Sequence, residues 1–182
     1  RVPSEVAYFR LRRMEGDEPY IDSLATWIQG QRDASGVIID IRDNGGGSRL
    51  PLLTLLPHVL SADASPVVVT AGKLKLPAEC LVTACPAPAE GYLANRFMRP
   101  LSGFAEGTPE RAALDLWLPT FAPEWTPPEE GFSDWHYLVI SPDEDPVFAR
   151  TPVIVLMNNA NFSASDIFLS VFKGRQNVLL MG

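Results

Sequence analysis

Apolar and polar positions change period several times along the chain, and each change marks an element. In Val6–Arg13 (VAYFRLRR), Tyr8, Arg10 and Arg12 alternate with Phe9 and Leu11, the period of two expected of a half-exposed strand. After an acidic turn at Met14–Pro19, Ile21, Leu24, Ala25 and Ile28 recur at i, i+3, i+4 and i+7, which predicts a helix from Tyr20 to near Asp33. Val37, Ile38, Ile39 and Ile41 then form a nearly continuous β-branched run, the pattern of a strand buried on both faces. This strand–helix–strand order predicts two parallel neighbouring strands.

Leu50–Leu60 (LPLLTLLPHVL) is apolar almost all round and predicts a buried helix, with Pro51 in its first turn and Pro57 kinking or shortening it. Pro66–Thr70 (PVVVT) reads as another short strand. From Lys73 to Arg150 the character shifts: prolines recur, and Trp117, Trp125 and Trp135 fall here. Thr108-Pro109-Glu110 heads a short helix with a capping threonine, and Trp135–Ile140 returns to a strand. Aromatics on this scale need somewhere to be buried, so residues 73–150 read as an insertion or lid, not a disordered linker. Its tryptophans either line a substrate groove or anchor the segment, and anchoring is expected of at least two. The pattern then regains order: a strand at Pro152–Met157, a polar turn at Asn158–Asn161, a helix over Ser163–Phe172 and a strand at Asn177–Met181. The expectation is one α/β domain over residues 1–182, with a central sheet containing Val37–Ile41, Val67–Thr70 and Val153–Met157 between helices.

Composition narrows the function classes. The net charge of −7 and a pI near 4.8, with no cluster of Lys or Arg, argue against a nucleic-acid surface. No run of eighteen apolar residues is present, so no membrane span is expected. The chain begins at Arg1, not Met, which suggests a piece of a longer or processed polypeptide and leaves the compartment open. Cys80 and Cys85 could close a local disulfide, but two cysteines are not a framework, and they read as structural or free. His58 and His136 lie far from them in sequence, which speaks against a metal site, and each reads as a packed side chain.

Two places could carry chemistry. Gly45, Gly46 and Gly47 follow directly on the buried run (GVIIDIRDNGGGS), where glycine permits positive φ and close approach of another group. A dinucleotide turn would need a further glycine where Leu50 stands, and a P-loop would need Gly-Lys-Ser/Thr where Gly47-Ser48-Arg49 stands. A transient oxyanion therefore suits these N–H groups better than a nucleotide, and a plain strand-to-helix turn suits them equally. The second place is Ser163, after a strand and at a helix start. With Asp166 it resembles a capping box; a serine there also stands where N–H groups would stabilise developing negative charge.

Taken together, IIDIRDNGGGS and TPVIVLMNNANFSASDIFLSVFKGRQNVLLMG resemble the C-terminal-processing (tail-specific) serine peptidases, whose fold the interphotoreceptor retinoid-binding protein repeats share. Asp40, Arg42, Asn44, Gly46 and Gly47 match a strand ending in Asp-x-Arg-x-Asn-x-Gly-Gly. Ser163, Ala164 and Ser165 match Ser-Ala-Ser-Glu, with Asp166 in place of Glu. The two stretches cover about a quarter of the chain. It implies a Clp-protease/crotonase-like α/β core, a mixed, mostly parallel sheet flanked by helices. It also implies serine-type endopeptidase activity through an acyl-enzyme, on unfolded or C-terminal peptide segments, with no cofactor and no metal. Ser163 would be the nucleophile, and the N–H groups of Gly46 and Ala164 the oxyanion hole, with Gly47 part of the same turn. An extracytoplasmic setting, periplasmic or secreted, follows from the same resemblance.

The chain departs from the family where the base is expected. A serine nucleophile needs a general base. In most of the family that base is a lysine a couple of dozen residues after the serine, and the chain ends 19 residues after it. Lys173 is too close in sequence, and nothing marks His58 or His136 for the role. The 182-residue chain is therefore expected to be inactive or weakly active as a peptidase. The opposing expectations are a non-catalytic ligand- or partner-binding module on the same fold, and an acyl-thioester enzyme of crotonase type that would not need Ser163.

Overall fold

The computed structural model describes residues 5–76 and 88–182; Cys80 and Cys85 lie outside the described residues. In chain order the helices and strands are β1 (Val6–Arg10), α1 (Glu18–Gln29), β2 (Gly36–Asp40), α2 (Leu50–Val59), β3 (Val67–Gly72), α3 (Pro88–Ala94), β4 (Arg99–Pro100), α4 (Pro109–Trp117), β5 (His136–Ile140), β6 (Val153–Leu156), α5 (Ala164–Phe172) and β7 (Val178–Met181). They divide into two compact units, one made of Arg1–Ala64 with Pro142–Gly182, the other of Ser65–Ser141.

The first unit is built on a four-stranded sheet of order β1-β2-β6-β7, parallel throughout. Its register sets Ala7, Val37 and Val153 side by side, then Phe9, Ile39 and Val155. Of these, Val37, Ile39, Val153 and Val155 are fully buried. The crossovers β1–α1–β2 and β6–α5–β7 step across the sheet in the same direction. Right-handed connections therefore put α1 and α5 on the same face. The alternate positions point the other way, and there Val6, Tyr8, Leu179 and Met181 are exposed.

Local chemistry explains the helix ends. The Asp17 side chain accepts from the Tyr20 N–H at 3.0 Å, so α1 starts at Glu18, two residues before the expected Tyr20. α2 continues for two residues beyond Pro57 and then stops. Its last carbonyls find donors outside the helix: the Asp143 N–H to Pro57 at 3.1 Å and the Phe148 N–H to His58 at 2.7 Å.

The expected place of Val67–Thr70 is corrected. These residues belong to β3, which pairs antiparallel with β5 in the separate three-stranded sheet β3-β5-β4 of the second unit, and not with β2 and β6. A short all-apolar run carries no signal of which strand it will pair with, and here the partner lies about seventy residues on. Behind this sheet Phe104, Leu114 and Tyr137 form a buried cluster, with Trp117 and Trp135 packed against it. Phe121 stacks on Trp117 at 4.5 Å and meets Trp135 edge-on at 5.0 Å. Those two tryptophans are anchors, whereas Trp125 is exposed, with its ring against Phe132. Among the described residues no helix is long and apolar enough to cross a membrane.

Phe168, fully buried on α5, and Leu116, 78% exposed on α4, give a direct contrast. Phe168→Ala should cost about 3–5 kcal/mol of stability. Leu116→Ala should stay within about 0.5 kcal/mol. Urea unfolding followed by circular dichroism measures both, and equal costs would contradict this packing.

Candidate active site

β2 and β6 are parallel neighbours, so the loops that leave their C-terminal ends emerge side by side, the usual place for a site in such a sheet. The loop after β2 carries Arg42–Ser48, and the loop after β6 carries Asn158–Ser163. Side-chain amides join the two. Asn158 accepts from the Asp43 N–H at 3.0 Å and donates Nδ2 to the Asp43 carboxylate at 2.8 Å. Asn161 donates Nδ2 to the Ile41 carbonyl at 2.6 Å and accepts from the Asn158 N–H at 2.8 Å.

Asn44 lies at the centre and is fully buried. Its Nδ2 donates to the Leu11 carbonyl at 2.7 Å, and its Oδ1 accepts from the Gly46 N–H at 2.9 Å. Its backbone carbonyl receives the Phe162 N–H at 3.3 Å. The Ser165 hydroxyl, also fully buried, stands 2.7 Å from that carbonyl and accepts from the Phe162 N–H at 2.8 Å.

The glycine turn then closes onto Ser163. Gly46 has φ +95°, and a Cβ there would stand 2.6 Å from the Phe162 carbonyl oxygen and 2.8 Å from Ser163 Cβ. Gly47 has φ +137°, and a Cβ there would strike the Met14 carbonyl at 2.4 Å. Both positions therefore require glycine.

Ser163 is exposed and holds φ 59° and ψ −120°, a backbone state that L-residues rarely adopt and that costs of order 1–3 kcal/mol. A sharp strand-to-helix turn of this kind pushes a side chain out from the end of a sheet. Ser163 makes no side-chain capping bond, so the capping-box expectation is not met. Ala164 opens α5, and its N–H has no acceptor among the described residues, at the positive end of the helix.

The other expected residues fall variously. Gly46 is packed against Ser163, yet its N–H is bonded to Asn44. The Gly46 carbonyl accepts from the Met14 N–H at 3.3 Å, and all peptides are trans, so the Gly47 N–H points away from Met14. That N–H has no acceptor among the described residues. Lys173 caps the far end of α5, roughly 15 Å along the axis from Ser163. His58 sits in the last turn of α2, a helix that starts beside the glycine turn and runs away from it. Its Nδ1 is 3.9 Å from Asp143 and lacks a hydrogen-bond partner, and burial lowers its pKa. His136 belongs to the second unit, where its Nδ1 lies 2.9 Å from the Asp134 carbonyl.

Beneath the turn, Asp40 is fully buried and ion-paired. Arg42 donates Nε to Oδ1 at 2.9 Å and Nη2 to Oδ2 at 2.7 Å, and the Tyr8 hydroxyl donates to Oδ2 at 2.8 Å. The Arg42 hydrogen bonds hold the Asp40 carboxyl well below its ordinary value of 3.8, against the opposing effect of burial.

A model of Peptidase family S41 matches residues 5–182. The chain belongs to peptidase family S41. In fold this S41 chain is similar to a Parabacteroides merdae ATCC 43184 protein assigned as a peptidase, with a TM-score of 0.53 and 18% identity over 98% of this chain and 39% of that one. It is also similar to mature CPAF solved in complex with lactacystin, with a TM-score of 0.51 and 24% identity over 96% of this chain and 37% of that one. A photosystem II D1 C-terminal processing protease aligns at a TM-score of 0.46 and 16% identity, over 96% of this chain and 29% of that one. This S41 chain thus spans well under half the length of each of those chains. Curated protein sequences give no match.

Sequence reasoning singled out Ser163, Ala164, Gly46 and Gly47 but passed over Asn158 and Asn161, which read there only as turn formers. Asn44 and Ser165 were present in the two motifs without a role. Their signal was a buried position within a polar loop, which periodicity does not reveal.

Two experiments probe this geometry. Gly46→Ala should lower stability by more than 1 kcal/mol, since strain at positive φ adds to a clash with backbone. Gly45→Ala, where a Cβ meets nothing within 4 Å, should be close to neutral by the same denaturation assay. For the ion pair, the folded carboxyl of Asp40 titrates below its ordinary value of 3.8. Its stabilisation is therefore complete at neutral pH and is lost as the pH falls below that value. Asp40→Asn should lower stability at pH 7 and flatten the acid limb of the stability curve, and an unchanged acid limb would assign acid sensitivity elsewhere.

Proposed function

We propose that this S41 chain carries the nucleophile and oxyanion site of a serine endopeptidase of C-terminal-processing type, acting on unfolded or C-terminal segments of protein substrates. The observation that supports it most is Ser163 itself: an exposed hydroxyl on a strained turn, free of capping duty, against which the glycine turn is packed at contact distance. Its hydroxyl would attack the scissile carbonyl carbon, and a base would take its proton. The oxyanion would be received by the Ala164 N–H at the start of α5 and by an N–H of the glycine turn. In this arrangement Gly47 is the better donor, because the Gly46 N–H is bonded to Asn44; Gly46 provides the close approach.

Among the described residues of the first unit, no lysine stands beside Ser163. Lys173, the one lysine of the first unit, caps the opposite end of α5. The test uses the protein in its full natural form. Ser163→Ala should abolish hydrolysis of fluorescein-labelled casein while leaving the melting temperature within a few degrees of the parent. Cleavage at the parental rate would remove Ser163 from the chemistry and favour a crotonase-type or binding role. Parent protein that cleaves nothing, yet binds peptides equally well with and without the Ser163 hydroxyl, would favour the binding module.

A further inference from the structure

The second serine of the Ser-Ala-Ser run has no part in the chemistry described above, yet it is the more deeply buried of the two. Ser165 is fully buried, and its hydroxyl meets three backbone groups. It accepts from the Phe162 N–H at 2.8 Å and stands 2.7 Å from the Asn44 carbonyl and 3.0 Å from the Phe162 carbonyl, donating to one of them. Phe162 immediately precedes Ser163, and its carbonyl is also the atom that a Cβ on Gly46 would strike. One hydroxyl thus bridges both sides of the site: the turn that carries Ser163 and the loop that carries the glycines.

This bridge has something to oppose. Ser163 at φ 59° and ψ −120° would relax toward an ordinary conformation if the flanking backbone were free. Phe162 is itself 69% exposed, so its ring offers no packing that would fix the turn. Phe162 is held by its N–H, shared between Ser165 Oγ and the Asn44 carbonyl, and by its carbonyl, which accepts from the Ser165 N–H at 3.2 Å and lies close to Gly46. Asn44 is held in turn by Leu11 through Nδ2.

We propose that Ser165, acting through Phe162 and Asn44, is a positioning residue that keeps Ser163 in its strained conformation and sets its distance from the glycine turn. The proposal rests on Ser163 being the nucleophile. Loss of the hydroxyl is compatible with folding: alanine suits the first turn of α5, and the Phe162 N–H keeps its longer bond to Asn44. The elbow should then drift, and a displacement on the scale of an ångström slows a reaction by up to about a hundredfold.

The test uses Ser165→Ala in the full natural protein and two measurements. The first is amide hydrogen exchange at Phe162, read by NMR, which reports the bridge without reference to catalysis. It should quicken roughly tenfold or more, by the logic of local opening; an unchanged rate overturns the proposal. The second is labelling by a fluorophosphonate probe. The rate should fall roughly ten- to a hundredfold, while the fraction finally labelled stays at the parental level. A lowered final fraction at the parental rate would mean that Ser165 only supports folding, and parental values of both would mean that it positions nothing; either overturns the proposal. Ser163→Ala is the control that separates the two ideas. If it labels as fast as the parent, the nucleophile reading fails and the positioning role falls with it, while exchange at Phe162 still shows whether the bridge exists.

Discussion

The site depends on a buried carboxamide. Asn44 has no exposed surface, and its side chain faces in two directions at once: Nδ2 to the end of the first strand segment at Leu11, Oδ1 to the glycine turn at Gly46. Its own carbonyl accepts from the turn that bears Ser163. A buried amide whose nitrogen and oxygen are both bonded is costly to disturb, because any displaced partner is left without water. That cost is what ties three loops at the C-terminal edge of the sheet into one arrangement. Aspartate would bring a buried charge, and leucine would satisfy neither partner.

Around this centre the forces are divided between apolar and polar groups. β-Branched residues on β2 and β6 bring the two strands together, and their parallel pairing fixes where the following loops emerge. The loops are then set by amide-to-backbone bonds from Asn44, Asn158 and Asn161. Glycine enters only where backbones touch, Gly46 on Phe162 and Gly47 on Met14. The ion pair of Asp40 with the half-exposed Arg42 satisfies a carboxylate that the sheet has buried.

Much of this was legible from residue order. The β-branched runs, the capping Thr108 and the apolar face of α5 gave the elements nearly to their ends, because each is dictated by neighbours in sequence. Two features were not. Val67–Thr70 has the same apolar character as β2 and β6, and its assignment to another sheet is decided by a partner strand far along the chain. Likewise the Gly46 N–H looked free for an oxyanion, since the acceptor that takes it, Asn44 Oδ1, depends on a side-chain rotamer and not on the motif. The family motif located the turn that bears Ser163, while the asparagines that hold it looked like ordinary turn formers.

The wide separation of the two halves of the site carries a kinetic consequence. Asn44 and Ser165 are 121 positions apart, and the whole second unit lies between them. During synthesis the glycine turn is made early, and it has nothing to close upon until the last strands of the first unit emerge. Loop-closure entropy grows only slowly with length, so the intervening unit adds little to the equilibrium cost. It does place site assembly among the late, long-range events of folding. The strained backbone of Ser163, and its contact with the glycine turn, therefore form only once the two ends of the first unit have met. Until then the chain holds the two loops without the arrangement that joins them.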